Sequence, residues 1–275
     1  MTGTQPLVDV HVHFLHEACG RSDWAEANAR RLAYGKRLGI SVHIASTLGS
    51  WGHTSPTYFP SPNDVTVGNA AMRAIAAAHP GLVRGYVTVN PNFTDHAVRE
   101  VALGVQGGAV GIKLAASRRA DDRLLDPVAM LAEAHGLPVL QHVWQHRRGE
   151  VPGQEISDAL DLAALAERHP QGSFILAHIG GGGDWAHSLR ALAGVPNVFV
   201  DLSGSGVDRG MLELCLACVG PSRLLWGTDL TMDTGLAKLR VLEAIGLTVD
   251  DMAAVRWKNA ARIFRLTGLA AGAAA

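Results

Sequence analysis

Eight short apolar runs rich in β-branched residues alternate with amphipathic stretches along the whole of this 275-residue chain. That alternation is the strongest constraint on its fold, because strand and helix in strict succession lead to parallel strands joined by helical crossovers. The candidate strands are 7–14, 41–47, 83–90, 109–115, 138–144, 173–179, 198–203 and 223–229. Helical periodicity falls near 23–38, 64–79, 94–106, 126–136, 155–169, 184–193, 207–219 and 249–266, with a shorter segment near 235–245. Asp64, Asp126-Pro127 and Thr248-x-x-Asp251 mark helix starts, and Gly39, Gly136, Pro170, Gly194 and Gly220 follow helix ends. Eight units unbroken by a linker or a shift in composition predict a single-domain α/β fold, a (β/α)8 TIM barrel. Its core is expected over 6–269, with a Gly/Ala tail over 270–275 that frays. An open doubly wound sheet would need a nucleotide fingerprint after its first strand, and His13-Phe-Leu-His-Glu17 offers none. The glycine run 180–183 reads as a tight strand-to-helix turn, with backbone anion binding as the alternative.

Hydrophobic residues make up 48% of the chain and charged residues 18%, which is the balance of a globular protein with a sizeable core. A formal net charge of -1 favours neither nucleic acid nor an acidic membrane surface, so the expected partners are small molecules or further copies of the chain. No apolar run reaches the length of a membrane span. Three cysteines and no signal-peptide pattern at the start lead to an expectation of a reducing, cytoplasmic setting. Cys215 and Cys218 sit three apart in a helical apolar run, which makes them core packers rather than a redox pair.

The histidines carry the chemistry. His11 and His13 lie two apart in the first strand, on one face and separated by roughly 6.6 Å of rise. Alone they fit a shared metal ion or a pair of hydrogen-bonded core histidines equally well. Their position decides more, since a barrel gathers its functional groups at the C-terminal ends of its strands. His11 and His13 end the first strand, Lys113 the fourth, His142 the fifth, His178 the sixth and Asp229 the eighth. By contrast His79, His135 and His169 fall at helix C-termini, where they complement the dipole, and His43, His96 and His187 also read as structural. His16, His53 and His146 lie on loops of the functional face.

Taken in order, Asp9-Val-His-Val-His13, Val110-Gly-Ile-Lys-Leu114, Gly136-Leu-Pro-Val-Leu-Gln-His142, Leu176-Ala-His-Ile-Gly-Gly181, Asn197-Val-Phe-Val-Asp-Leu-Ser-Gly204, Leu225-Trp-Gly-Thr-Asp229 and Asn259-Ala-Ala-Arg-Ile-Phe264 resemble the amidohydrolase superfamily. The resemblance is to its amidohydrolase family two branch, which includes aminocarboxymuconate-semialdehyde and resorcylate decarboxylases, and it spans nearly the whole chain. It implies that His11, His13, His142 and Asp229 hold one divalent metal, with zinc expected and manganese or iron as alternatives. It also implies that His178 and Asp229 are the catalytic pair beside a metal-bound water, whose pKa such an ion lowers to about 7. In binuclear relatives a carboxylated lysine bridges two metals. Here Ala115-Ala116 follow Lys113 where many relatives have His-Pro, which favours one metal, with Lys113 contacting substrate or a neighbouring carboxylate.

Substrate contacts are expected from the loop 48–62, through Trp51 and Tyr58, and from Arg118 and Arg147, whose guanidinium groups suit a carboxylate. The leading expectation is a metal-dependent hydrolase in which zinc-bound water attacks an amide, lactone or ester. The first alternative is a nonoxidative decarboxylase or hydratase of an unsaturated or aromatic acid. The second is a metal-free binding protein on the same barrel.

Overall fold

Every expected strand forms. In a computed structural model that describes residues 5–47, 58–114, 116–143, 155, 157–179, 184–204, 206–229 and 235–269, they are β1 (Val8–His13), β2 (Val42–Ser46), β3 (Val83–Val89), β4 (Gly111–Leu114), β5 (Val139–Gln141), β6 (Phe174–Leu176), β7 (Val198–Asp201) and β8 (Leu224–Leu225). All pair parallel and in chain order. The segment after β8 returns to β1: Val10 N–H donates to Trp226 O at 3.1 Å and Asp229 N–H to His11 O at 2.8 Å. These two bonds close the barrel.

The helices are α1 (Trp24–Leu38), α2 (Pro62–Ala78), α3 (Thr94–Gln106), α4 (Asp126–His135), α5 (Ala159–Arg168), α6 (Trp185–Ala191), α7 (Met211–Val219), α8 (Leu236–Ala244), α9 (Val249–Ala253) and α10 (Asn259–Ile263). Helix α2 begins before Asp64, because Ser61 is the cap and Asp64 is its capping-box partner, with Pro62 in the first turn. The last predicted helix is divided, since a wider π turn over Ala254–Lys258 joins α9 to α10. The tail 270–275 and the glycine run 180–183 lie outside the described residues.

Two apolar layers follow from strand alternation. Val8, Val10, Ile44, Tyr86, Leu140, Ile175, Phe199 and Leu225 fill the inside of the barrel, and Ile263 and Phe264 at the chain's end plug its N-terminal mouth. Phe264 meets Tyr86 edge to face at 5.8 Å, and the Tyr86 hydroxyl donates to Val10 O at 2.8 Å. The opposite strand faces pack against the helices; Cys215 is buried in that outer layer and Cys218 packs beside it, both as free thiols. With the N-terminal half sealed by hydrocarbon, polar groups inside the barrel collect at its C-terminal end. Among the described residues no helix is long and apolar enough to cross a membrane.

Candidate metal centre

Strict alternation cannot bring both Val10 and His11 inside the barrel, because neighbours on a strand face opposite ways. The chain solves this with a bulge. Asp9 pairs with His43 and Val12 with Ala45, so three steps along β1 match two along β2. Before the bulge Val8 and Val10 face inward; after it His11 and His13 do, while Val12 and Phe14 pack outward against Met72 of α2.

A second departure places His178. Ala177 belongs to the inner layer, and His178 next to it adopts φ 60, a left-handed backbone that turns its ring toward the same interior. Asp229 has φ 48, and only Arg265 shares this conformation among described non-glycine residues. Such backbone strain concentrates at functional sites. Here it falls on the two residues expected to be catalytic.

These turns converge on Asp229. Its Oδ1 lies 3.0 Å from His13 Nε2 and 3.6 Å from His11 Nε2, and its Oδ2 lies 3.5 Å from His178 Nδ1. Lys113 Nζ donates to His11 Nε2 at 3.1 Å. His142 stands one ring further out, with its Nδ1 3.1 Å from His178 Nε2 and the Tyr58 ring 5.2 Å away. Lys113 and His11 are completely buried, and His13, His142, His178 and Asp229 nearly so.

Residues without an assigned role in the sequence complete the site. Asp201 ends β7 and takes the Nδ1–H of His11 at 2.7 Å. Ser203 N–H donates to the other Asp201 oxygen at 2.8 Å. Asp9 accepts from the backbone of His11 and Thr228, at 3.2 and 3.0 Å, and from the Thr228 hydroxyl at 2.7 Å, tying β1 to the strand end that carries Asp229. Gly227 is required by crowding, since a Cβ there would lie 2.5 Å from Asp201 Oδ1 and 3.2 Å from His11 Cβ. The position of Asp201 at a strand end was the available signal, by the same rule that marked Asp229.

Electrostatics follow from burial. It pushes His11 and His142 well below the usual imidazole range, aided by Lys113 and by His178 respectively, and lowers His178 to about 3, so these rings are neutral. Burial also lowers Lys113 to about 8, against the pull of Asp229 and Asp201. Burial alone would raise Asp229, yet the surrounding His11, His13 and His178 hold it well below the usual carboxylate range. The Asp229 carboxylate thus faces the rings of His11, His13 and His178.

That donor set fits one divalent cation. One ligand atom from each of His11, His13 and Asp229 lies within 4.8 Å of the others; His11, His178 and Asp201 form a second such trio. In the second, His11 Nδ1 is already committed to Asp201. The first uses His11 Nε2, whose lone pair is set by that same bond, as carboxylate-backed histidine ligands commonly are; a cation there would take the place of the Lys113 Nζ that it now accepts from at 3.1 Å. His142 belongs to neither trio and joins the cluster through His178.

Of the expected substrate residues, Tyr58 borders the site. Arg118 is engaged with Glu155 and Asp122, at 3.5 and 3.6 Å. Trp51 and Arg147, with His53 and His146, lie outside the described residues. His16 is buried at the start of a short 3-10 turn.

The model of the family described as amidohydrolase matches residues 8–266. The chain belongs to the amidohydrolase family. Among solved structures this amidohydrolase is similar to 2,6-dihydroxybenzoate decarboxylase complexed with 2,6-dihydroxybenzoate, at 17% identity over 96% of this chain and 100% of that one, with a TM-score of 0.74. It is also similar to 5-carboxyvanillate decarboxylase from Sphingomonas paucimobilis (18%, 96% and 100%, TM-score 0.72). A third is a dihydroxybenzoic acid decarboxylase from Polaromonas with bound manganese and the inhibitor 2-nitroresorcinol (17%, 95% and 97%, TM-score 0.74). At these identities the likeness is one of fold. No curated protein sequence matches the chain.

Proposed function

We propose that this amidohydrolase is a metal-dependent, nonoxidative decarboxylase of a small aromatic or unsaturated acid. His11, His13 and Asp229, with His142 beside them, would hold one divalent cation, manganese or zinc by the chemistry of the donors. When bound, such a cation supplies Lewis-acid polarisation of a substrate oxygen. The observation that carries the reading is the buried pair of Asp229 Oδ2 and His178 Nδ1, 3.5 Å apart at two strand ends. Shut off from water, the pair is placed to hold a proton and deliver it to the carbon from which carbon dioxide leaves. Support comes also from the solved structures of like fold, whose stated activity is decarboxylation. The Tyr58 ring would supply an aromatic wall beside His142.

Hydrolysis of an amide, lactone or ester is the second reading, favoured by the family's own description; the pair would then move its proton to a leaving group instead of to carbon. Products separate the two. Metal-loaded protein is offered a panel of hydroxybenzoates, unsaturated acids, esters, lactones and amides in water enriched in deuterium and oxygen-18. Carbon dioxide release with one deuterium at the vacated carbon supports decarboxylation. Turnover of esters, lactones or amides with solvent oxygen in the acid product, and no carbon dioxide from any acid, refutes it.

A further inference from the structure

Ser203 stands where the buried groups of three strand ends meet. Its Oγ is 2.5 Å from Asp201 Oδ2, 3.1 Å from His11 Nδ1 and 3.2 Å from His178 Nδ1. A serine hydroxyl has one hydrogen to donate and two lone pairs to accept with, whereas a carboxylate only accepts. The short contact is therefore Ser203 O–H donating to Asp201, a charge-assisted bond. With its hydrogen committed there, Ser203 faces His178 with a lone pair. Asp229 Oδ2, 3.5 Å from the same nitrogen, also presents only lone pairs to it, at a distance too long to hold the hydrogen by itself. A nitrogen facing two acceptors must carry the hydrogen, so neutral His178 is protonated on Nδ1 and its Nε2 accepts. The atom 3.1 Å from that Nε2 is His142 Nδ1, which must then be an N–H donor. The lone pair of His142 is left on its Nε2.

We infer that Ser203 is a positioning residue that sets the hydrogen of His178 on Nδ1 and, through His178, the hydrogen of His142 on Nδ1. The inference deepens the proposed metal centre and rests on it for its consequence, which is that His142 is delivered in the tautomer able to bind a cation through Nε2. It also gives the Asp201-Leu-Ser203 segment a second duty. Asp201 fixes the tautomer of His11 directly, and Ser203 carries the same ordering across to the sixth and fifth strand ends. Gly204 leaves room for this arrangement, as a Cβ at its positive φ would come within 3.3 Å of His178 Nδ1.

Long-range proton–nitrogen correlation spectra of the nitrogen-15-labelled, metal-free full chain read each ring nitrogen as N–H or as lone pair. The expected result is Nδ1–H for both His178 and His142 in the wild type. In Ser203→Ala both rings become mixtures of tautomers, and affinity for manganese or zinc, measured by chelator competition, falls about 10- to 100-fold, the usual cost of losing an outer-shell partner. Ser203→Thr, which keeps the hydroxyl, restores both. An Nε2–H form of His178 in the wild type overturns the inference, as do unchanged tautomers in Ser203→Ala. Should the alanine variant fail to fold, the wild-type spectrum alone decides. A wild type that binds neither metal refutes the metal centre, while the spectra still judge the role of Ser203.

Discussion

Gly227→Ala is the sharpest perturbation available at this centre, because it adds one methyl group where the packing leaves none. The new Cβ would sit 2.5 Å from Asp201 Oδ1, 3.2 Å from His11 Cβ and 3.3 Å from Ser203 Cβ. Asp201 cannot swing aside cheaply: Oδ1 accepts from Ser203 N–H, and Oδ2 accepts from Ser203 O–H and His11 Nδ1–H. Overpacking of this kind costs about 1–3 kcal/mol of stability. If relief comes by moving Asp201 away from His11, metal affinity drops about 10- to 100-fold as the ligand loses its orienting partner. Gly194→Ala is the matched control, since its Cβ meets nothing within 4 Å and its backbone has no positive φ; it should stay within about 0.5 kcal/mol of wild type. Urea denaturation of the metal-free proteins gives the first quantity and chelator competition the second. A Gly227→Ala protein as stable as the Gly194→Ala control, with unchanged metal affinity, would refute the close approach of the first, seventh and eighth strand ends.

Three further outcomes are expected. His178→Asn should keep the metal content and lower turnover about 10²- to 10⁴-fold, the range of a lost general acid–base; loss of metal instead would make His178 a ligand. Asn259→Ala removes the amide that donates to Pro221 O and Leu224 O, both at 2.8 Å. Stranding those carbonyls should lower stability by about 1–3 kcal/mol, read as a lower urea midpoint at constant slope, and an unchanged midpoint counts against the role. The carboxyl of Asp126, which burial alone would raise, is held below its ordinary value of 3.8 by Arg168 and His169. A depressed carboxylate stabilises the fold fully above the ordinary value and loses that contribution as pH falls through the lower folded one. Asp126→Asn should therefore be less stable than wild type at neutral pH and lose less stability in acid; equal acid slopes would refute this.

Much of the molecule was legible before any coordinates. All eight strands lie where the sequence pattern puts them, and so do the helices apart from the early start of α2 and the π turn that divides the last one, because period 2 and period 3.6 are local properties of a chain whose core needs both. The C-terminal strand ends were legible for the same reason; His11, His13, His178 and Asp229 lie together there, while His142 reaches them through His178. Asp64 illustrates the limit of local signals: it is an effective cap by type, yet Ser61 with Pro62 starts the helix earlier. The balance between hydrolysis and decarboxylation was not legible, since both use one carboxylate, one imidazole and one cation.

What the sequence by itself determined is the barrel and which residue types stand at the C-terminal ends of its strands, because hydrophobic period and residue type are written along the chain. What only the tertiary structure decided is how those groups face one another. The bulge that turns His11 inward beside Val10, the left-handed turn of His178, and the meeting of Asp201 and Ser203 with His11 each depend on residues about 25 to 190 positions apart. Contacts of that separation leave no periodic trace, and they exist only once eight strands have closed into one ring.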